Sequence, residues 1–96
     1  MPDRIAVRPA EPHVDLKVRV ASAVEGARDE IINLSHRIHA NPEPAFEEHQ
    51  AAIWIAEVLR EHGFEVQHPA GSLATAIRAT HPGGRGDGPR IGILGE

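Results

Sequence analysis

The stretch Gly63-Phe64-Glu65-Val66-Gln67, then Pro69-Ala70-Gly71, then Leu73-Ala74-Thr75-Ala76-Ile77-Arg78-Ala79-Thr80, changes the period of the chain. Before Gly63 the apolar residues recur every three or four positions. After it they alternate. A period of two places successive side chains on opposite faces of a strand. Residues 64–67 therefore predict a short strand, 69–71 a turn, and 73–80 a second strand. The segment from His81 to Pro89 is rich in glycine and proline and predicts a flexible loop. Arg90-Ile91-Gly92-Ile93-Leu94 then predicts a strand apolar on both faces, the pattern of a buried strand.

On the N-terminal side, Val20, Val24, Ala27, Ile31, Leu34 and Ile38 follow one another at +4, +3, +4, +3, +4. That stripe predicts one helix over 16–40. Asn41-Pro42 ends it, because proline disfavours helical geometry in the residue before it. Ala51, Ile55, Val58, Leu59 and His62 share a side of a second helix over 46–62. Glu47 and Glu48 are expected in its first turn, where carboxylates suit the positive end of the helix dipole. Gly63 supplies the stop. Residues 1–14 read as a polar, proline-punctuated, poorly ordered lead-in, and the rest as the first part of a larger domain. The fold class is α/β, with two N-terminal helices followed by the first strands of a sheet. A buried strand at 91–94 needs neighbours on both sides, and ligands in open α/β sheets bind just past such strands. The expectation is a fragment of a larger domain.

Composition narrows the chemistry. The 96 residues suffice for one small domain, and aromatic residues make up 3%, so the core must be aliphatic. No cysteine is present, which excludes a disulfide framework, a thiol nucleophile and Cys-ligated zinc or iron–sulfur within this chain. A net charge of −4 with interspersed signs and no basic stripe argues against nucleic acid and membrane-surface partners. The first residues lack the apolar run of a secretory signal, so the expected location is cytoplasmic.

Seven histidines invite a metal hypothesis. His36 and His39 stand at i, i+3 and could touch one ion. No third ligand is fixed by spacing, and H-E-x-x-H is absent. A small histidine-based metal carrier is the weakest reading. Glu43, Glu47, Glu48 and His49 form an acidic cluster that either supplies a catalytic carboxylate pair or complements a helix dipole; the second reading is favoured. The glycines between Gly83 and Gly88 lead into a strand, so they do not open a phosphate-cradling helix. Arg85-Gly86-Asp87 and Asn33-Leu34-Ser35 match short adhesion and glycosylation patterns that arise by chance. No G-x-S-x-G elbow exists. The residues alone give an α/β architecture without a complete active site. They also leave open a small α/β interaction module without catalysis, binding a partner through the helical stripe, whose +4/+3 spacing fits a two-helix seam.

Arg37-Ile38-His39, Pro42-Glu43, Phe46 and Glu48 resemble the N-terminal signature of the metal-dependent aminoacylase-like amidohydrolases. This peptidase family includes aminoacylases, auxin-conjugate hydrolases and p-aminobenzoyl-glutamate hydrolases. The order of parts after it, LREHGFEV (59–66), ATAIRA (74–79), a glycine-rich loop and RIGILGE (90–96), is similar as well. The resemblance spans 31–96. It implies that 15–96 is the incomplete N-terminal part of a zinc-exopeptidase-like catalytic domain, a mixed sheet flanked by helices with an inserted, dimerising lid. It also implies cleavage of amide bonds of N-acyl or aminoacyl amino acids. Two divalent ions, zinc or manganese, would activate a bridging water, with a glutamate as general base. The family's metal ligands and catalytic glutamates match positions beyond Glu96. The resemblance therefore assigns no catalytic residue, cofactor-binding residue or metal ligand to this chain, which alone should be inert. His39 and Glu43 are expected to be architectural, pinning the corner between the two helices. The GILGE ending points to the p-aminobenzoyl-glutamate hydrolase-like branch.

Overall fold

The computed structural model describes residues 14–84 and 86–96. The lead-in expected over 1–14 lies outside the described residues except for Val14, which is helical. The elements in chain order are α1 (Val14–Gly26), α2 (Arg28–Ala40), α3 (His49–Glu61), β1 (Glu65–Gln67) and β2 (Arg78–Thr80). The chain divides into two compact units, Met1–Ala40 and Asn41–Glu96. Among the described residues, no helix is long and apolar enough to cross a membrane.

In the first unit, the single helix expected over 16–40 is broken at Ala27, which forms a turn. The Ala27 N–H reaches the carbonyls of both Ala23 and Val24 at 3.1 Å, and the Ala27 carbonyl accepts from Ile31 N–H at 3.0 Å. Gly26 stands at the break. Glycine loses more backbone freedom in a helix than any other residue, so a helix interrupts there at least cost. The α1 sequence Val14-Asp15-Leu16-Lys17-Val18-Arg19-Val20 alternates apolar and charged residues. On a helix that alternation scatters the apolar side chains around the axis instead of gathering them on one face. The consequence is a helix without buried residues, with Val18 and Val20 more than 60% exposed. α2 is better formed electrostatically. Asp29 and Glu30 occupy its first turn, Arg37 and His39 its last, each charge opposing the local end of the dipole. It stops at Ala40, directly before Asn41-Pro42, as the sequence requires.

In the second unit, α3 packs on β1, and β1 pairs with β2. Among the described residues, the buried ones are Ala52 and Ala56, one turn apart on α3. Small side chains on one stripe let a helix backbone approach its neighbour closely. The end of α3 is closed by backbone geometry. Phe64 N–H bonds to Leu59 carbonyl at 3.0 Å and Gly63 N–H to Arg60 carbonyl at 3.1 Å, the paired bonds of a Schellman cap. That cap requires a left-handed residue, and Gly63 has φ +90°. The chain then enters β1. The Phe64 ring meets the His81 ring edge to face at a centroid distance of 5.1 Å, which ties the start of β1 to the end of β2. β1 and β2 are antiparallel, with Glu65 opposite Thr80, Val66 opposite Ala79 and Gln67 opposite Arg78. The half-buried Val66–Ala79 pair lies between exposed residues on both strands.

Three sequence expectations need correction here. The strand expected over 73–80 forms only at 78–80, because 70–76 folds into tight turns: Ala70 N–H bonds to Ala76 carbonyl and Leu73 N–H to Ala70 carbonyl. The helix expected over 46–62 begins at His49, and Glu47 and Glu48 precede it. The buried strand expected at 91–94 is neither buried nor a strand. Ile91, Ile93 and Leu94 are 81%, 92% and 98% exposed. A strand is defined by the neighbour it bonds to, and among the described residues none pairs with this segment. Among the described residues the sheet is two-stranded and antiparallel, and with the three helices it makes a small α/β arrangement.

The break at Gly26 yields a stability test. Nothing lies within 4 Å of a Cβ built there. Gly26→Ala should therefore join α1 to α2 and stabilise the helical unit by about 0.5–1 kcal/mol. Circular dichroism of the two chains measures this as more helix and a higher midpoint. An unchanged or lower helix content would show that the break is set by something other than glycine.

Candidate functional site

Pro42, Glu43, Phe46 and Glu48 of the signature lie in the loop that leads into α3. Its N-cap residue, Glu48, has φ −80° and ψ 56° and makes no side-chain capping bond. The first N–H groups of a helix have no partner inside it and must be satisfied from outside. Glu43 does this from five residues upstream of the cap. One carboxylate oxygen accepts from Gln50 N–H at 2.8 Å, and the other accepts from Ala51 N–H at 3.0 Å. A carboxylate suits this place twice over, as a two-oxygen acceptor and as a negative charge at the positive end of a helix.

The electrostatics follow. The Gln50 N–H bond, then the Ala51 N–H bond, hold the Glu43 carboxyl below its ordinary value of 4.5. Partial burial opposes them weakly, and the neighbouring His49 adds a smaller attraction. A proton on Glu43 would remove one of the two acceptors, so the ionised form is the one the helix start selects.

The loop between α2 and α3 brings Glu43 there. Asn41-Pro42 turns the chain out of α2. Glu47 N–H bonds to the Pro44 carbonyl at 2.9 Å, closing a turn over Ala45 and Phe46. Phe46 takes φ +66°, a left-handed conformation unusual for a residue with a side chain, and its ring is 74% exposed. Such a conformation costs on the order of 1–2 kcal/mol. It belongs to the turn that leads into α3, closed by the Glu47 N–H on the Pro44 carbonyl.

His36 and His39 are both exposed on α2. Glu47 is exposed and Glu48 half-buried in the loop, neither in the first turn of α3. Among the described residues, no group of three or more His, Cys, Asp or Glu could hold a metal ion. The described residues therefore do not fit the two-ion site that the resemblance implies. Arg85 of the Arg85-Gly86-Asp87 tripeptide lies outside the described residues. Sequence reasoning missed the specific bond made by Glu43. Its signal was weak, since the bonds run over seven and eight residues, longer than the two or three of an ordinary cap. It also missed His81, whose Nδ1 accepts from Gly83 N–H at 3.0 Å, so that in the neutral ring the proton sits on Nε2.

Two curated proteins are similar to part of the chain. Over 74 aligned positions it is 36% identical to thermostable carboxypeptidase 2 of Saccharolobus solfataricus. It is 35% identical to thermostable carboxypeptidase 1 of the same organism over 74 positions. Each alignment covers 73% of this chain and 19% of the relative, so the chain spans about a fifth of their length. No protein-family profile matches, and no solved structure matches.

The Glu43 bonds carry a pH dependence with a definite sign. A carboxyl held low in the folded chain contributes stability that is full above its ordinary value of 4.5 and is lost as pH falls through the lower folded value. Glu43→Gln keeps the shape but has one acceptor oxygen and no charge. Thermal melts should place it below the wild type at pH 7, with the gap closing as pH drops well under 4.5. A gap independent of pH would mean that the charge on Glu43 does not hold α3.

Proposed function

We propose that Met1–Glu96 is the N-terminal portion of a metal-dependent hydrolase that cleaves amide bonds of N-acyl or aminoacyl amino acids. The observation that carries this reading is the partial likeness to two carboxypeptidases. The motif Arg37-Ile38-His39, Pro42-Glu43, Phe46 and Glu48 also supports it. Within it, Glu43 is a structural residue: it fixes the start of α3 and with it the corner after α2. The two divalent ions, zinc or manganese, and the general base would come from polypeptide outside this chain. Substrates like p-aminobenzoyl-glutamate, a homodimer of the whole enzyme and a cytoplasmic setting belong to the same reading.

A second reading has its own observation. Val20, Val24 and Ile31 of the helical stripe are all more than 50% exposed, which favours an interaction module using that stripe.

The test is the open reading frame past Glu96. The hydrolase reading expects it to continue, and expects the longer protein to release amino acids from N-acyl amino acids. That activity should vanish on chelation and return with zinc or manganese, while Met1–Glu96 alone gives none. A stop codon at that point, with no hydrolysis by the 96-residue chain, would overturn the hydrolase reading in favour of the second one.

A further inference from the structure

The stability of an aspartate's own peptide bond depends on the residue after it. Asp3, Asp15, Asp29 and Asp87 precede arginine, leucine, glutamate and glycine in turn. No asparagine precedes glycine: Asn33 precedes Leu34, and Asn41 precedes Pro42. Asp15 and Asp29 lie in the first turns of α1 and α2, and Asp3 lies outside the described residues. Asp87 has a different setting. Gly86, Asp87 and Gly88 form an exposed bend between β2 and residues 90–94. A Cβ built on Gly88 meets nothing within 4 Å, and neither does one on Gly84 or Gly86.

We infer that Asp87-Gly88 is a self-modifying site, at which the folded chain converts through a cyclic imide to a β-linked isoaspartate. The main-chain nitrogen of Gly88 attacks Cγ of Asp87. A C–N bond forms and a C–O bond breaks. One water leaves, made from a carboxyl oxygen, the amide proton and the proton of the neutral carboxyl. Water then opens the five-membered ring. Opening at the side-chain carbonyl restores Asp87. Opening at the main-chain carbonyl leaves the backbone running through the former side chain. The water lost on closure is returned on opening, so no other reactant is consumed.

Geometry selects this aspartate. Ring closure turns ψ and χ1 of the aspartate until the next nitrogen reaches Cγ. In α1 and α2 the helix holds ψ at its own value, and the side chains of Leu16 and Glu30 crowd the nitrogen that would attack. The bend at 86–88 belongs to no helix or strand, and Gly88 carries no side chain to obstruct the approach. Pro89 restricts Gly88, but closure does not turn ψ of Gly88. Asp87 has a partner within the chain; a contact to its oxygens leaves the faces of Cγ open. The imide stage removes one negative charge. The isoaspartate product puts one extra main-chain carbon between β2 and residues 90–94. The inference does not depend on the hydrolase reading, since it concerns only the chemistry of this bend.

Ageing the 96-residue chain in native buffer and in denaturant tests it. Peptide mapping reads isoaspartate as resistance to an aspartate-specific protease and as uptake of labelled methyl groups from an isoaspartyl carboxyl methyltransferase. In native buffer isoaspartate should accumulate at position 87, preceded by a peptide lighter by one water, with none at Asp15 or Asp29. In denaturant, position 87 should keep close to its native rate while Asp15 and Asp29 begin to react. Gly88→Ala, which the open space accommodates, should slow the native reaction several-fold. Asp87→Glu, whose ring would have six members, should abolish it. Circular dichroism, equal across the variants, separates loss of the reaction from loss of folding. Absence of isoaspartate at position 87 in native buffer overturns the inference. So does a large acceleration there on unfolding, which would mean that the folded bend shields the bond. Failure here leaves the hydrolase reading intact, because that is decided by the reading frame and by amide hydrolysis.

Discussion

The carboxylate of Glu43 on the exposed N–H groups of α3 is the interaction on which the second unit depends. It joins the loop that leaves α2 to the helix that carries both buried residues, Ala52 and Ala56. Without it, the N–H groups of Gln50 and Ala51 would have to find water, and the start of α3 would be free to fray. The opposite end of the same helix is closed by the cap at Gly63, which hands the chain to β1. α3 is therefore held at both ends by local bonds, and β1 and β2 are built onto it.

This matters for function because the acidic cluster invites a catalytic interpretation. The geometry gives its best-placed member a structural task. Both Glu43 oxygens accept from backbone donors, and these bonds stabilise the ionised carboxylate and so weaken it as a base. A general base needs the reverse, a raised affinity for protons. The sign of the Glu43 shift, downward, points the same way. The strained turn at Phe46 is part of the same loop that leads into α3.

Much of this was legible in the sequence wherever the cause is local. Asn41-Pro42 ended α2, Gly63 ended α3, and alternation after Gly63 marked β1 and β2, because proline, glycine and period-two patterning act within a few residues. What was not legible depends on partners. Ile91–Leu94 has the composition of a buried strand, yet composition does not supply the neighbour that makes one. Leu73–Thr80 alternates along its length, but the turns at 70–76 claim the first part. The stripe from Val20 to Ile38 predicted one helix, since apolar periodicity runs straight through Gly26 while backbone entropy does not. Among the candidate residues, the cluster at the start of α3 was visible as a dipole effect. The specific reach of Glu43 to Gln50 and Ala51 depends on the path of the loop, which no spacing rule encodes.

The most direct measurement is a proton-resolved titration of Glu43 by nuclear magnetic resonance, following its side-chain carboxyl together with the Gln50 and Ala51 amide protons. The account predicts a midpoint below 4.5 and two amide signals that move upfield with the same midpoint as the carboxylate gains its proton. A Glu43 midpoint at or above that value, or amides that do not follow it, would contradict the claim that this side chain holds the start of α3.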